Sequence, residues 1–270
     1  MAFTCLDASA TGLSALTTNL NVIANNLANA NTDGFKSSRV NFQDLLYLEQ
    51  RQPGLENTLG DLNPTGLYAG VGTRVSGTQL NLQEGPLIST DQPLDAAISG
   101  SGFFVVEVED TYTNGLAYTR SGNFALNAER QLVLANDQGR RLVPAIEVPW
   151  GIPEYAINVT NDGSVQISYG EIFEEIGQLE LAIFANPAGL TPIGGNLYTE
   201  SIASGEVSIG LPTENGRGSI IQNFLEASNV DPVTELVDLI NTQRAFEFNS
   251  QALKAADEVL QIVANLRRYG

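Results

Sequence analysis

Both ends of this 270-residue chain carry the rhythm of helices that pack along a seam, and that constrains everything between them. Near the start, Leu13, Leu16, Leu20, Ile23 and Leu27 recur at alternating gaps of three and four, the a/d spacing that gives a helix one apolar stripe. Near the end, Val233, Val237, Ile240, Phe248, Ala252, Ala255, Val259, Ile262 and Leu266 follow a similar stripe, interrupted by Arg244. The spacing predicts a first helix from about Ala8 to Asn29 and a closing helix from Pro232 to about Arg267. At 1.5 Å per residue these would extend for about 32 Å and about 54 Å, and the second is longer than a compact domain requires. One stripe of side chains does not offset the entropy of ordering so much backbone. The two ends are therefore expected to pair with each other, with copies in neighbouring subunits, or with both.

The helix ends have their own chemistry. Asn29, Asn31, Thr32, Asp33 and Gly34 make a dense turn signal, with Asp33-Gly34 suited to a left-handed position. Asp231 can cap the free N–H groups of the closing helix, and Pro232 fits its first position. Lys254, Arg267 and Arg268 lie in its C-terminal half, where positive charge suits the helix dipole. Asn19, Asn21, Asn25 and Asn26 are poor helix formers. They either line a polar face or hydrogen-bond between neighbouring helices in an assembly.

Between the ends the period changes. Tyr47 to Gly72 is rich in Gly, Pro, Asn and Gln without a sustained period, and reads as a linker or an extended arm. From about Val71 to Leu225 come short alternating runs, such as Phe103–Val108 and Leu179–Phe184. Asn114-Gly115, Asp137-Gln138-Gly139 and Asn161-Asp162-Gly163 are hairpin-type turns. Gly100 and Gly102 would let the backbone approach a neighbour closely while Phe103 and Phe104 enter the core. The expected fold class is α+β, with long N- and C-terminal helices forming a coiled-coil-like pair around a central, mostly antiparallel β domain. The divisions are an N-terminal helix at 1–30, an arm at 31–70, a β domain at 71–225 and a C-terminal helix at 226–270.

Composition narrows the function. A formal charge of −18, from 31 acidic and 13 basic residues, argues against a nucleic-acid partner, since neutralising phosphates needs clustered Lys and Arg. No stretch approaches the roughly 20 apolar residues of a membrane span, so direct membrane insertion is not expected. The single Cys5 cannot form an internal disulfide. Residues 1–7 lack a basic n-region and a continuous apolar core, so a cleaved secretory signal is not expected. Gly100-Ser101-Gly102 is too short for a phosphate loop and no G-x-x-x-x-G-K motif occurs, so nucleotide binding has no support. No catalytic residue, metal ligand or cofactor is expected.

Longer runs carry a specific resemblance. Asn19 to Lys36 (NLNVIANNLANANTDGFK) resembles the N-terminal signature of the bacterial flagellar rod and hook family. Ser228-Asn229-Val230-Asp231, Glu235-Leu236-Val237, Asn241 to Glu247 (NTQRAFE) and Ala256-Asp257-Glu258 resemble its closing helix. Ala97 to Val106 and Tyr118 to Phe124 resemble its central β domain. Within the family the chain is most similar to members of the distal rod. It is too short for the outer domain of hook proteins, and Tyr47-Leu48-Glu49-Gln50-Arg51-Gln52-Pro53-Gly54 resembles an insertion, here 47–63, associated with a straight rod.

The resemblance implies a structural subunit, not an enzyme, that polymerises into a straight, rigid helical tube carrying motor torque to the hook. It implies a rod crossing the periplasm within the basal body. The implied partners are further copies, proximal rod proteins, the hook protein, the surrounding basal-body rings and the flagellar type III export apparatus. Leu13, Leu16, Leu20, Ile23, Leu27, Val233, Val237, Ile240, Phe248, Val259, Ile262 and Leu266 are expected to pack between helices or along the filament. Tyr47, Arg51, Gln52, Pro53 and Gly54 are expected to form the rod-specific segment. The acidity implies assembly that strengthens with salt.

Three alternatives remain open. Another rod or hook member would share these signatures. An acidic carbohydrate enzyme would need two positioned carboxylates in a cleft, which nothing marks. A coiled-coil surface adhesin would carry one continuous seam instead of one split between the two ends.

Overall fold

The computed structural model describes residues 2–54, 64–109, 115–169 and 172–269, which fall into two compact units. The first contains Met1–Ala28, Ser38–Gln79 and Asp231–Gly270, and the second contains Asn29–Ser37 and Leu80–Val230. The fold class is α+β: two long helices with a central antiparallel β region.

The first unit holds both helices. α1 runs Ala2–Ala28, starting ahead of the expected Ala8 because residues 2–7 contain no helix breaker. α2 runs Pro232–Tyr269. Its start is capped as its chemistry dictates: Asp231 Oδ1 accepts the Val233 N–H at 3.0 Å and Oδ2 accepts the Thr234 hydroxyl at 2.7 Å. Two strand pairs complete the unit. β1 (Ser38–Asp44) lies beside a strand at Thr73–Leu80. Here the Arg39 guanidinium donates to Gln79 Oε1, and that of Arg74 donates to Gln43 Oε1. The Tyr47–Gly72 segment, expected to be a linker or an extended arm, contains β2 (Tyr47–Arg51) and β3 (Leu67–Gly70), paired antiparallel, with the Thr73–Leu80 strand following as β4. Every residue of β2 is exposed, as is most of β3, so neither strand has the apolar alternation that marks a half-buried strand in sequence.

The second unit is the β domain. Its strands are β5 (Leu87–Ser89), β6 (Ala96–Ser99), β7 (Phe103–Glu107), β8 (Leu116–Thr119), β9 (Phe124–Leu126) and β10 (Leu132–Leu134). They continue with β11 (Ile157–Val159), β12 (Ser164–Tyr169), β13 (Ile172–Gln178), β14 (Leu181–Ile183) and β15 (Thr191–Gly194). Last come β16 (Leu197–Thr199), β17 (Ser208–Gly210), β18 (Ser219–Gln222) and β19 (Phe224–Glu226). The largest sheet is six-stranded, ordered β15-β16-β8-β7-β14-β17, and β11-β12-β13 form a second. Its alternation explains the core. On β7, Phe103 and Val105 enter one apolar cluster while Phe104 and Val106 enter another on the opposite face. Phe104 meets Phe124 edge-to-face at 5.0 Å, and Tyr118 meets Phe184 at 4.8 Å. Gly102, at φ 147°, leaves only the space that Leu181 fills.

A buried polar knot ties distant segments of this unit. Lys36 Nζ meets Glu226 Oε1 at 2.5 Å and donates to the Gln83 carbonyl, while Arg120 Nη1 lies 3.3 Å from Glu226 Oε2. Asn229 clasps the neighbouring backbone: its Oδ1 accepts the Ser37 N–H and its Nδ2 donates to the carbonyls of Asn81 and Gln83. Gly34 adopts φ 70°, the left-handed conformation expected of the Asp33-Gly34 turn.

Candidate assembly site

The helical unit presents three surfaces: the face where α1 meets α2, the opposite face of α2, and the β2–β3 hairpin. On α1, Ser9, Gly12, Ile23 and Asn26 are buried and Leu16 and Asn19 half-buried, at alternating gaps of three and four. On α2 the positions Glu235, Leu239, Thr242, Phe246, Asn249, Leu253, Ala256 and Leu260, all buried or half-buried, follow the same rule, with Ser250 half-buried beside them.

Among the described residues three polar rungs join these faces, seven residues apart on α2 and, on α1, at Asn26, Asn19 and the Ser9–Gly12 turn. Asn26 Nδ2 donates to Glu235 Oε1 at 3.0 Å, Asn19 Nδ2 donates to Thr242 Oγ1 at 3.1 Å, and Asn249 Nδ2 donates to the Ser9 carbonyl at 3.3 Å beside Gly12. The numbers run in opposite directions, so the helices are antiparallel. A Cβ on Gly12 would collide with the Asn249 amide, so glycine there makes room for the third rung. Asn26, 2% exposed, also holds the chain after the turn: Nδ2 donates to the Ser38 carbonyl and Oδ1 accepts the Ser38 N–H. Partial burial, with Asp238 and Asp231 nearby, raises the Glu235 carboxyl above its ordinary value, opposed by the Asn26 amide. Thus Asn19 and Asn26 bond across to the other helix.

The predicted packing residues divide between the two helices. Ile23 is buried, and Leu13, Leu16, Leu20 and Leu27 are half-buried. On α2, by contrast, Val233 is 70% exposed, Phe248 69% and Ile262 59%, and Val237, Ile240 and Val259 are likewise exposed. The α2 stripe read from sequence therefore is not the face that meets α1. That face carries the polar residues at its rungs and was passed over because Glu235, Thr242 and Asn249 interrupt an apolar pattern. Its signal is the unbroken three-four spacing through Leu239, Phe246, Leu253 and Leu260. The Leu266 side chain lies outside the described residues.

The segment expected to be rod-specific is also surface. Tyr47, Arg51, Gln52, Pro53 and Gly54 are all exposed, alongside Leu46 and Tyr68. The remainder of 47–63, residues 55–63, lies outside the described residues. Among the described residues no group of three or more Cys, Asp or Glu is placed to hold a metal ion, and no helix is long and apolar enough to cross a membrane.

Comparison with known proteins shows the family. The family model for the flagella basal body rod protein matches residues 6–36. That for the flagellar hook protein FlgE/F/G D1 domain matches 97–167, and that for the flagellar basal body rod FlgEFG protein C-terminal region matches 221–266. The chain is 41% identical to the flagellar basal-body rod protein FlgG of Agrobacterium fabrum, covering 95% of this chain and 96% of the relative. The chain belongs to the flagellar basal-body rod protein family. A member from Bacillus subtilis, also a flagellar basal-body rod protein FlgG, is 37% identical over 95% of this chain and 96% of its own length. The flagellar basal-body rod protein FlgF of Caulobacter vibrioides is 33% identical over 84% of this chain and 83% of its own. As a rod protein, this chain is a structural component of the flagellar basal body and not an enzyme.

Proposed function

We propose that this protein builds the distal segment of the flagellar rod, polymerising into a straight, rigid helical tube that carries motor torque across the periplasm to the hook. The observation that carries this reading is the apolar stripe of α2, from Val233 to Ile262, left exposed in the single chain. A helix that places valine, isoleucine and phenylalanine toward water along most of its length has a surface made for a partner. In a tube generated by a screw axis that partner is the next copy, and repeated heterologous contacts propagate without closing. On this reading residues 1–30 and 226–270 form a coiled-coil-like core, 31–70 an arm, and 71–225 a β domain. The 47–63 segment adds contacts between copies that keep the tube straight. Its partners are further copies, proximal rod proteins below, the hook protein above and the basal-body rings around it, after export through the type III apparatus.

A second reading, that the chain is another rod or hook member, draws on the resemblance to FlgF. Negative-stain electron microscopy of the concentrated full-length protein separates the two. Straight tubes are expected from the full chain, none from a chain lacking both helices, and curved or flexible tubes after deletion of residues 47–63. Curved tubes from the full chain would move the assignment to a hook-like member, and straight tubes from the deletion would remove the role given to 47–63.

A further inference from the structure

α2 carries two stripes at similar spacing on different faces, and periodicity alone would let either receive α1. The structure seats α1 on the more polar of the two. We propose that the three rungs, Asn26–Glu235, Asn19–Thr242 and Ser9/Gly12–Asn249, are a register and partner code. They hold α1 of the same chain on one face of α2 in one antiparallel register and so reserve the apolar stripe for a second copy of this chain. The proposal rests on the reading of the two helices as the assembling ends of a rod subunit.

An apolar seam tolerates slippage, because moving one helix by a heptad again sets leucine against leucine or isoleucine. A polar side chain in the seam is satisfied only where its partner stands, and elsewhere it is desolvated without a hydrogen bond. The rungs also differ in size. Gly12 has no Cβ, and the Asn249 amide uses that space. A one-heptad slip would set Asn249 against Asn19 and Gly12 against Ala256, crowding one rung, hollowing the other and leaving Glu235 without its donor. Asn26 adds an anchor that does not slide, because its amide is bonded to both backbone groups of Ser38. If α1 turned to the apolar stripe instead, Asn19 and Asn26 would face valine and isoleucine and lose both partners, which rejects the wrong face as much as it selects the right one.

The test uses dilute full-length protein, below any concentration that gives polymer, with Cys5→Ser throughout. Leu16→Cys with Phe246→Cys places two thiols at one level of the observed register, and Leu16→Cys with Leu253→Cys places them one heptad apart. In the parent chain only the first pair should close an intrachain disulfide under mild oxidant, seen as a faster-migrating monomer band. In the background Asn19→Leu/Glu235→Leu/Thr242→Leu/Asn249→Leu, which removes the cross-helix partner at every rung and leaves the bonds of Asn26 to Ser38, both pairs should close in comparable yield, while helical circular dichroism and melting temperature stay at or above parental values. Closure of the first pair alone in that folded background would overturn the proposal. Should that variant not fold, the exchange Asn19→Thr/Thr242→Asn decides: it preserves the rung and should restrict closure to the first pair, and closure of both would overturn the code. Neither readout needs polymer, so a failure to form tubes counts against the rod reading and leaves this result intact.

Discussion

Lys36 and Glu226 form an ion pair at 2.5 Å with both side chains fully buried, joining residues from opposite ends of the β unit. Glu226 also accepts the Gly85 N–H and a guanidinium N–H of Arg120, and its backbone carbonyl accepts the Gly34 N–H. One carboxylate thus compensates two cations out of reach of water. Burial lowers the affinity of Lys36 for its proton, with the hydrogen bond to Glu226 opposing. Glu226→Gln removes the compensating charge and leaves two buried cations. It should destabilise the protein by about 3–5 kcal/mol, read from the urea midpoint.

The left-handed turn ahead of Lys36 has no room for a side chain. A Cβ on Gly34, at φ 70°, would lie 2.6 Å from the Ser121 nitrogen. Gly34→Ala should cost at least about 1–3 kcal/mol, measured by chemical denaturation.

The exposed stripe predicts a separation of folding from assembly. Val237 and Phe248 are 51% and 69% exposed in the single chain. Val237→Asp and Phe248→Asp should leave monomer stability within about 0.5 kcal/mol of the parent while abolishing tubes in electron micrographs. Loss of monomer stability would place these residues in the folded core of the chain.

Glu235 makes the helix pair pH-sensitive. Its folded carboxyl holds a proton more tightly than the unfolded one, chiefly through burial, with Asp238 and Asp231 adding to it. The folded state therefore binds more protons in the window just above the ordinary glutamate value, and stability falls as pH rises through it. Glu235→Gln keeps an acceptor for Asn26 and should flatten that fall, raising stability at neutral pH by less than about 1 kcal/mol. Urea midpoints between about pH 4 and 7 check both effects.

With 31 acidic and 13 basic residues per chain, neighbouring copies repel. Polymerisation followed by light scattering should strengthen as salt rises to a few tenths molar, and weakening over that range would show that attractive ion pairs dominate the contacts.

What the sequence determined by itself was local. The three-four rhythm of leucine and isoleucine specifies helices at both ends, because a helix of 3.6 residues per turn is the conformation that gathers those side chains on one face. Asp231-Pro232 starts α2, Asp33-Gly34 turns the chain after α1, and the Gly102-Phe103-Phe104 run sends rings to opposite faces of β7, all through bonds and clashes within a few residues. The runs spanning both helices and the β domain were enough to reveal the family. Tertiary structure decided which stripe of α2 meets α1. Both stripes have helical spacing, and an asparagine is favourable in a seam only if a donor or acceptor more than two hundred residues away stands opposite it, as Thr242 does for Asn19 and Glu235 for Asn26. The Lys36–Glu226–Arg120 knot was hidden for the same reason, its partners lying far apart in the chain, whereas the β2–β3 pair was hidden because its residues are almost all exposed and carry no apolar alternation.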